Sequence, residues 1–198
     1  MPRKIGILGG TFDPVHAGHV ALARAAVREL GLDALYLVPA KRSPMKGGRP
    51  AAGAARRLEM LRLAAREVPR CRVSRAELDR SGPSYTAGTV RAFRRKFPRA
   101  RLHLIVGSDC LAGFPRWKDS GAILREARLV AGRRAGGRKK VPALLAGRVE
   151  FLRSGMPRIS STRIRAGVRR AGTGEAVPET VRRYILKHGL YRRPYPEG

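Results

Sequence analysis

The chain has 198 residues, of which 43% are hydrophobic, and a formal net charge of +29 at pH 7. This length and apolar share suffice for one domain with its own core and exclude a disordered basic tail. No apolar run approaches the roughly 18 residues of a membrane span, and the first residues lead directly into a candidate strand, with no room for a secretory signal. The two cysteines, Cys71 and Cys110, lack CxxC spacing, so we expect reduced thiols in a cytoplasmic protein.

Short apolar runs alternate with segments of helical periodicity, a pattern typical of a parallel α/β sheet. We predict strands at residues 4–8, 34–38, 72–75, 102–106, 128–131 and 149–152. We predict helices at residues 19–30, 54–67, 86–97, 122–126, 161–166 and 178–187. The segments 39–53 and 133–142 are rich in Gly or Pro and are predicted loops. The sequence therefore predicts an α/β fold, a single doubly wound domain over residues 1–198 with a small helical C-terminal portion.

Residues 9–19 read GGTFDPVHAGH and join the first strand to the first helix. Glycines at a strand end allow a ligand to approach the backbone, and the N–H groups of a helix start attract anions. The stretch matches neither the GxGxxG fingerprint nor the P-loop. On a helical first turn, His16 and His19 would face the same point. A metal site, helix capping and phosphate contact compete as explanations of the pair, and phosphate contact explains the glycines as well.

The basic charge allows a second interpretation, a nucleic-acid-binding module. However, 35 of the 43 basic residues are Arg, and they are scattered through every segment. Aromatic residues make up only 6% and are not interleaved with the basic ones. We therefore expect no dedicated nucleic-acid binding and no membrane partner, whereas anionic small-molecule substrates are favoured.

GGTFDPVHAGH resembles the signature of nucleotidylyltransferases with a His-x-Gly-His motif, and ISSTRIR at residues 159–165 resembles their second motif. Within that superfamily, further segments resemble the bacterial nicotinate-nucleotide adenylyltransferases. These are Pro-Ser-Tyr-Thr at 83–86, Gly-Ser-Asp at 107–109, Trp-Lys at 117–118 and the ending VPETVRRYILKHGLY. The resemblance extends from Ile5 to Tyr191.

This resemblance implies a Rossmann-like sheet and a transfer of AMP from ATP to nicotinate mononucleotide, giving nicotinate adenine dinucleotide and pyrophosphate, in NAD biosynthesis. The catalytic residues that it implies are His16, His19, Lys46 and Arg165. The implied ATP-binding residues are Gly9, Gly10, Thr11, Phe12, His16, His19, Gly107, Asp109, Ile159, Ser161, Thr162 and Arg165. The implied mononucleotide-binding residues are Thr11, Lys46, Tyr85, Thr86, Trp117, Lys118 and Arg134. Mg²⁺ is expected to arrive with ATP, and no protein metal site is expected.

The chain departs from the family pattern at Met45, Gly88 and Ala135, where the family has His, Asp and Pro. Ser161 or Thr162 is expected to cap a helix, and Trp117 is expected on a loop. Nicotinamide mononucleotide or phosphopantetheine as acceptor, cytidylyl transfer, and a basic nucleic-acid-binding domain remain alternatives. The sequence makes no prediction of oligomeric state.

Overall fold

A computed structural model describes residues 1–42, 49–134, 141–171 and 176–192, with the backbone alone at residues 134 and 169–171. Within these ranges six strands form one sheet in the order β3-β2-β1-β4-β5-β6, and all neighbouring strands are parallel. The strands are β1 (Lys4–Gly10), β2 (Ala34–Pro39), β3 (Cys71–Val73), β4 (Arg101–Gly107), β5 (Arg128–Arg134) and β6 (Val149–Met156). The α-helices are α1 (Ala17–Leu30), α2 (Ala54–Ala65), α3 (Thr86–Lys96), α4 (Ser120–Glu126), α5 (Ser161–Ala171) and α6 (Glu179–Lys187). The predicted doubly wound α/β fold with a helical C-terminal portion is confirmed.

Helices cover both faces of the sheet, which is why its central strands read as nearly continuous apolar runs. All six residues of β2 are buried. On one face, Leu8 and Ile105 belong to a core that includes α1, α2, α5 and α6. On the other face, Ile7 and Leu104 belong to a core with α3, α4 and the 3₁₀ helix Ser108–Arg116. No helix in the described ranges is long and apolar enough to span a bilayer.

Element boundaries differ from the predictions at several places. Two 3₁₀ helices were not predicted, Ser108–Arg116 and Ala143–Leu145, and the first contains Pro115, a residue that obscures helical periodicity. α1 begins at Ala17 because His16 has an extended backbone (φ −144°, ψ 171°) and serves as the N-cap. β5 continues to Arg134, so the loop predicted from residue 133 starts too early. The β5 extension is paired with β6, a long-range contact that the local sequence does not encode.

The strand order places a topological switch point at β1. The chain leaves β1 towards β2 on one side of the sheet, whereas β4 lies on its other side. In open parallel sheets, a crevice forms at such a point beyond the carboxyl ends of the strands, and ligands bind there. β1 ends at Gly10 and β4 ends at Gly107, so the segments following these two glycines form the walls of the crevice.

Candidate active site

The buried side chain of Asp13, which is 4% exposed, holds the loop between β1 and α1 in place through hydrogen bonds. Its carboxylate accepts hydrogen bonds from the backbone N–H groups of Ala51 (2.7 Å) and Ala52 (3.0 Å). It also accepts one from the hydroxyl of Tyr191 at 2.8 Å. Asp13 therefore joins the loop to the start of α2 and to the turn that follows α6.

The same loop is supported by Arg57 of α2, whose side chain is 1% exposed. Its guanidinium donates to the carbonyl oxygens of Thr11 (2.9 Å), Ala40 (2.7 Å) and Ala52 (3.1 Å). Burial lowers the pKa of Arg57, and the charge of Asp13 opposes that shift. Sequence reasoning missed both residues as parts of the site. Asp13 could have been found from its place inside the GGTFDPVHAGH motif, whereas Arg57 has no local signal among so many arginines.

His16 and His19 lie against each other at the start of α1. Their rings stack with centroids 3.7 Å apart and an interplanar angle of 26°. The backbone N–H of His16 donates to Nδ1 of His19 at 3.2 Å, so a neutral His19 ring carries its proton on Nε2. This contact is the side-chain half of a capping box, so His19 caps the helix and still presents an N–H donor. Capping and phosphate contact, which compete in the sequence, are compatible in the structure.

The glycines and Phe12 shape the floor of the crevice. A Cβ at Gly9 would meet no atom within 4 Å, whereas one at Gly10 would lie 3.1 Å from the ring of Phe12. Phe12 adopts a left-handed backbone conformation (φ 50°), and its side chain is only 1% exposed. Its ring meets that of His19 edge-on, with centroids 4.9 Å apart. The open space above the backbone is therefore at Gly9, and Phe12 supports His19 from the core.

The second motif, on α5, packs directly onto this loop. Ser161 Oγ donates to the carbonyl oxygen of Pro14 at 3.0 Å, and Arg165 Nη1 donates to that of Asp13 at 2.7 Å. Arg165 Nη2 also donates to Thr162 Oγ1 at 3.4 Å. Two motifs that are about 140 residues apart in the chain thus meet at the carboxyl end of β1.

The expected helix cap on α5 is wrong by one residue. Ser160 is the cap, because its Oγ accepts the N–H of Arg163 at 3.3 Å and its carbonyl oxygen accepts that of Ile164 at 3.1 Å. The hydroxyls of Ser161 and Thr162 are used in the contacts with Pro14 and Arg165. Ile159, the first residue of the motif, is half-buried against the core that includes α1, α2, α5 and α6.

The predicted mononucleotide residues lie beyond β4 and at the start of α3. Tyr85 is the N-cap of α3 and Thr86 is its first residue. Trp117 follows the 3₁₀ helix and is half-buried, its ring 5.0 Å from that of Phe114 between centroids. Lys118 Nζ lies 4.8 Å from the centroid of the Tyr85 ring, so the two segments touch. Asp109, in the first turn of the 3₁₀ helix, is half-buried at the end of β4.

Two predicted residues cannot be placed in this way. Lys46, together with Met45, lies outside the described residues. Arg134 is the last residue of β5, and its side chain is not among those that the structure describes. Their assignments remain predictions.

A cavity of about 680 Å³ lies at the opposite edge of the sheet, at the amino ends of β4, β5 and β6. It is lined by Arg101, Arg128 and Val149, among other residues, and shares none with the crevice. Within the described ranges, no group of three or more His, Cys, Asp or Glu side chains is placed to hold a metal ion.

Comparisons with known proteins agree with this geometry. A family model described as Cytidylyltransferase-like matches residues 7–167. A Neisseria gonorrhoeae protein named "Probable nicotinate-nucleotide adenylyltransferase" is 40% identical over 96% of this chain and 100% of its own length. A Moorella thermoacetica protein of the same name is 38% identical over 96% of this chain and 93% of its own.

The chain belongs to the nicotinate-nucleotide adenylyltransferase family.

Solved structures show that the fold is shared as well. Plasmodium falciparum nicotinic acid mononucleotide adenylyltransferase, complexed with NaAD, superposes with a TM-score of 0.78 at 16% identity, covering 96% of this chain and 97% of that one. A Vibrio parahaemolyticus structure described as "a Putative Nicotinate-nucleotide Adenylyltransferase" gives a TM-score of 0.70 at 18% identity, covering 97% of each chain. The family resemblance and the Rossmann-like fold predicted from the sequence are therefore both confirmed.

Proposed function

We propose that this protein transfers the AMP group of ATP to nicotinate mononucleotide, giving nicotinate adenine dinucleotide and pyrophosphate. The relatives at about 40% identity carry that activity in their names. The observation that carries the proposal is the contact between the two motifs, in which Ser161 and Arg165 dock on the loop that holds His16 and His19. The step belongs to NAD biosynthesis, and we expect it in the cytoplasm, where ATP is available.

The reaction is a substitution at phosphorus. An oxygen of the mononucleotide 5′-phosphate attacks the α-phosphorus of ATP, and the bond from that phosphorus to the bridging oxygen breaks in line. Negative charge increases on the departing pyrophosphate. Catalysis of such a step depends on positioning and on stabilising that charge rather than on covalent participation of the protein.

The residues around the β1–α1 loop have the chemistry that this step requires. His19 presents its Nε2–H, and α1 and α5 both begin beside this loop. The amino ends of helices carry partial positive charge and attract anions. Arg165 has five N–H groups, and two of them make the described contacts with Asp13 and Thr162. We assign His16, His19 and Arg165 to the phosphates of ATP in the transition state, and we propose that the fourth catalytic residue, Lys46, contacts the attacking phosphate of the mononucleotide.

The divalent cation is part of the substrate in this proposal. Asp13, the carboxylate inside the motif, is already bonded to two backbone amides and a hydroxyl. The neighbouring groups His16, His19 and Arg165 are donors or cations, so this donor set suits phosphate oxygens better than Mg²⁺. Mg²⁺ would then be held by the triphosphate and by water.

On the acceptor side, we assign the pyridine ring of the mononucleotide to the segments that carry Tyr85, Thr86, Trp117 and Lys118. The indole of Trp117 offers a flat surface for the ring, and Lys118 offers a cation. Lys46 and Arg134 are proposed for the mononucleotide phosphate. We also propose that residues 1–198 act as a single domain in this reaction.

The direct test is release of pyrophosphate from MgATP with three acceptors offered separately: nicotinate mononucleotide, nicotinamide mononucleotide and phosphopantetheine. We expect release with nicotinate mononucleotide and formation of the adenine dinucleotide in equal amount. Release only with phosphopantetheine would reassign the acceptor, and no release with any of the three would overturn the proposed activity.

A further inference from the structure

A guanidinium occupies the space beside the glycine at position 88. Gly88 lies in the first turn of α3, and a Cβ placed there would be 2.6 Å from Nη1 of Arg80 and 3.1 Å from its Cζ. Arg80 Nη2 donates to the carbonyl oxygen of Tyr85 at 3.3 Å, which fixes the guanidinium against the helix start. Any side chain at position 88 would require Arg80 to move. The glycine therefore determines where this positive charge lies.

Arg80 lines a cavity of about 280 Å³ between the start of α3 and the segment after the 3₁₀ helix. Its described lining includes three cations, Arg80, Arg91 and Lys118, and one carboxylate, Asp119. Asp119 pairs with Arg91 at 3.0 Å. Two positive charges, those of Arg80 and Lys118, thus remain in excess on the cavity wall.

The cavity combines these cations with the amino end of a helix. α3 has 11 residues, and Ala87 of its first turn lines the cavity. The amino end of a helix carries a partial positive charge, so a guanidinium beside it is electrostatically unfavourable in the empty protein. An anion in the cavity would relieve that repulsion and would receive hydrogen bonds from the guanidinium and from the helix N–H groups.

The shape of the guanidinium narrows the class of anion. A planar carboxylate can accept two parallel hydrogen bonds from one guanidinium, whereas a carboxamide of the same size offers one acceptor oxygen and no charge. The ring of Tyr85 and the ammonium of Lys118, 4.8 Å apart, form the adjoining wall. Under the proposed function, this wall is where the pyridine ring of the mononucleotide lies.

We propose that Arg80 is a specificity-determining residue, which the space at Gly88 allows to bind the ring carboxylate of a pyridine mononucleotide in preference to a ring carboxamide. This inference rests on the proposed function for the position of the ring. It adds Arg80 to the residues proposed for the mononucleotide, and the position of Arg80 depends on the glycine at position 88 of this chain.

Two variants test the inference, one by removing the charge of Arg80 and the other by displacing it. Arg80→Met removes the charge and keeps the length of the side chain. Gly88→Ala keeps the charge but displaces the guanidinium, and the alanine itself favours the helix. Both should raise KM for nicotinate mononucleotide roughly 10- to 100-fold, the range expected when a charge-assisted hydrogen bond is lost. Neither should change KM for ATP or the use of nicotinamide mononucleotide, so the preference between the two mononucleotides should fall.

The matched control is the double variant Arg91→Met with Asp119→Asn, which removes a cation of the same cavity together with the carboxylate that pairs with it, so the net charge of the cavity wall does not change. It should leave the preference unchanged, and Arg80→Lys should restore part of it. If Arg80→Met and Gly88→Ala keep the wild-type preference, or if the double variant lowers it equally, the inference is wrong.

Binding measured without ATP separates this inference from the proposed function. Calorimetric titration of the wild-type protein with each mononucleotide should show tighter binding of the nicotinate form, and Arg80→Met should abolish the difference. If the wild-type protein shows that difference, Arg80→Met abolishes it and no pyrophosphate is released, the proposed reaction is overturned and the role of Arg80 stands. If it binds both forms equally, the role of Arg80 is overturned.

Discussion

At the scale of single residues, the imidazole of His19 is fixed before any ligand arrives. Its Nδ1 accepts the backbone N–H of His16, and its ring lies between those of His16 and Phe12. A donor fixed in this way requires little reorganisation when charge develops on a phosphate, which is the condition under which such donors contribute most.

We therefore expect His19→Ala to lower kcat by about 100-fold or more, because it removes a transition-state donor. Steady-state pyrophosphate release at saturating substrates measures the effect. The control is His188→Ala, which alters a histidine in the turn after α6 and should leave kcat unchanged. An unchanged kcat in His19→Ala would remove His19 from the mechanism.

His103 is a buried histidine in the sheet, away from the β1–α1 loop. It lies in β4, is 4% exposed, and its Nδ1 faces the carbonyl oxygen of Arg101 at 3.2 Å. Burial lowers the pKa of His103 below its usual value, and the charges of Arg128 and Lys4 act in the same direction. The contact with Arg101 and the charge of Glu150 oppose the shift.

This shift predicts a loss of stability in mild acid. The unfolded chain binds a proton at His103 more readily than the folded one, so the free energy of unfolding should fall as the pH falls from about 7 to about 5. His103→Asn should show a smaller fall over the same interval. Urea denaturation at a series of pH values measures both curves, and curves of equal slope would show that His103 does not titrate differently in the folded protein.

At the scale of elements, three parts of the chain are tied together under the site. The carboxylate of Asp13 joins the β1–α1 loop to the start of α2 and, through Tyr191, to the turn after α6. The hydroxyl of Tyr191 is buried, and this burial, together with the adjacent Asp13, raises its pKa, so it remains a donor. The C-terminal helices therefore contribute to the position of the loop and not only to the core.

Tyr191→Phe should lower the free energy of unfolding by about 1–2 kcal/mol, because it removes one buried hydrogen bond to a charged group. Tyr184→Phe is a matched control, since the hydroxyl of Tyr184 only accepts a hydrogen bond from Arg56 at the surface, at 3.1 Å. That variant should change stability by less than about 0.5 kcal/mol. Denaturant unfolding compares the two, and equal effects would show that the Asp13 contact contributes nothing beyond a surface bond.

The strands and α-helices could be predicted from local patterns, because periodicity and turn residues encode them, whereas the two 3₁₀ helices could not. The crevice at the end of β1 could be inferred from the motif. The hydrogen bonds by which Asp13, Arg57 and Tyr191 hold the β1–α1 loop could not. Those contacts join residues far apart in the chain, and an arginine such as Arg57 looks locally like any solvated one. The end of β5 was missed for the same reason, since its pairing with β6 extends it to Arg134.

At the scale of the whole molecule, 43 basic residues stand against 14 acidic ones. Basic residues lie at both edges of the sheet. The cavity at the amino ends of the strands is lined by Arg101, Arg128 and Arg148. The smaller cavity at the start of α3 is lined by Arg80 and Lys118. Charge distributed in this way produces a general positive field around the molecule rather than a single binding face. A general field attracts any small anion, including both proposed substrates.

Salt dependence distinguishes a field that attracts substrates from a surface that binds nucleic acid. If the charge serves the substrates, kcat/KM for nicotinate mononucleotide should fall steadily as the ionic strength is raised, because added salt screens exposed charges beyond about 10 Å at 0.1 M. The protein should also leave immobilised DNA at moderate salt, because scattered contacts neutralise few phosphates together. Retention on DNA at about 0.3 M salt, with kcat/KM insensitive to salt, would instead assign the charge to a nucleic-acid partner, since only many simultaneous phosphate contacts survive such screening.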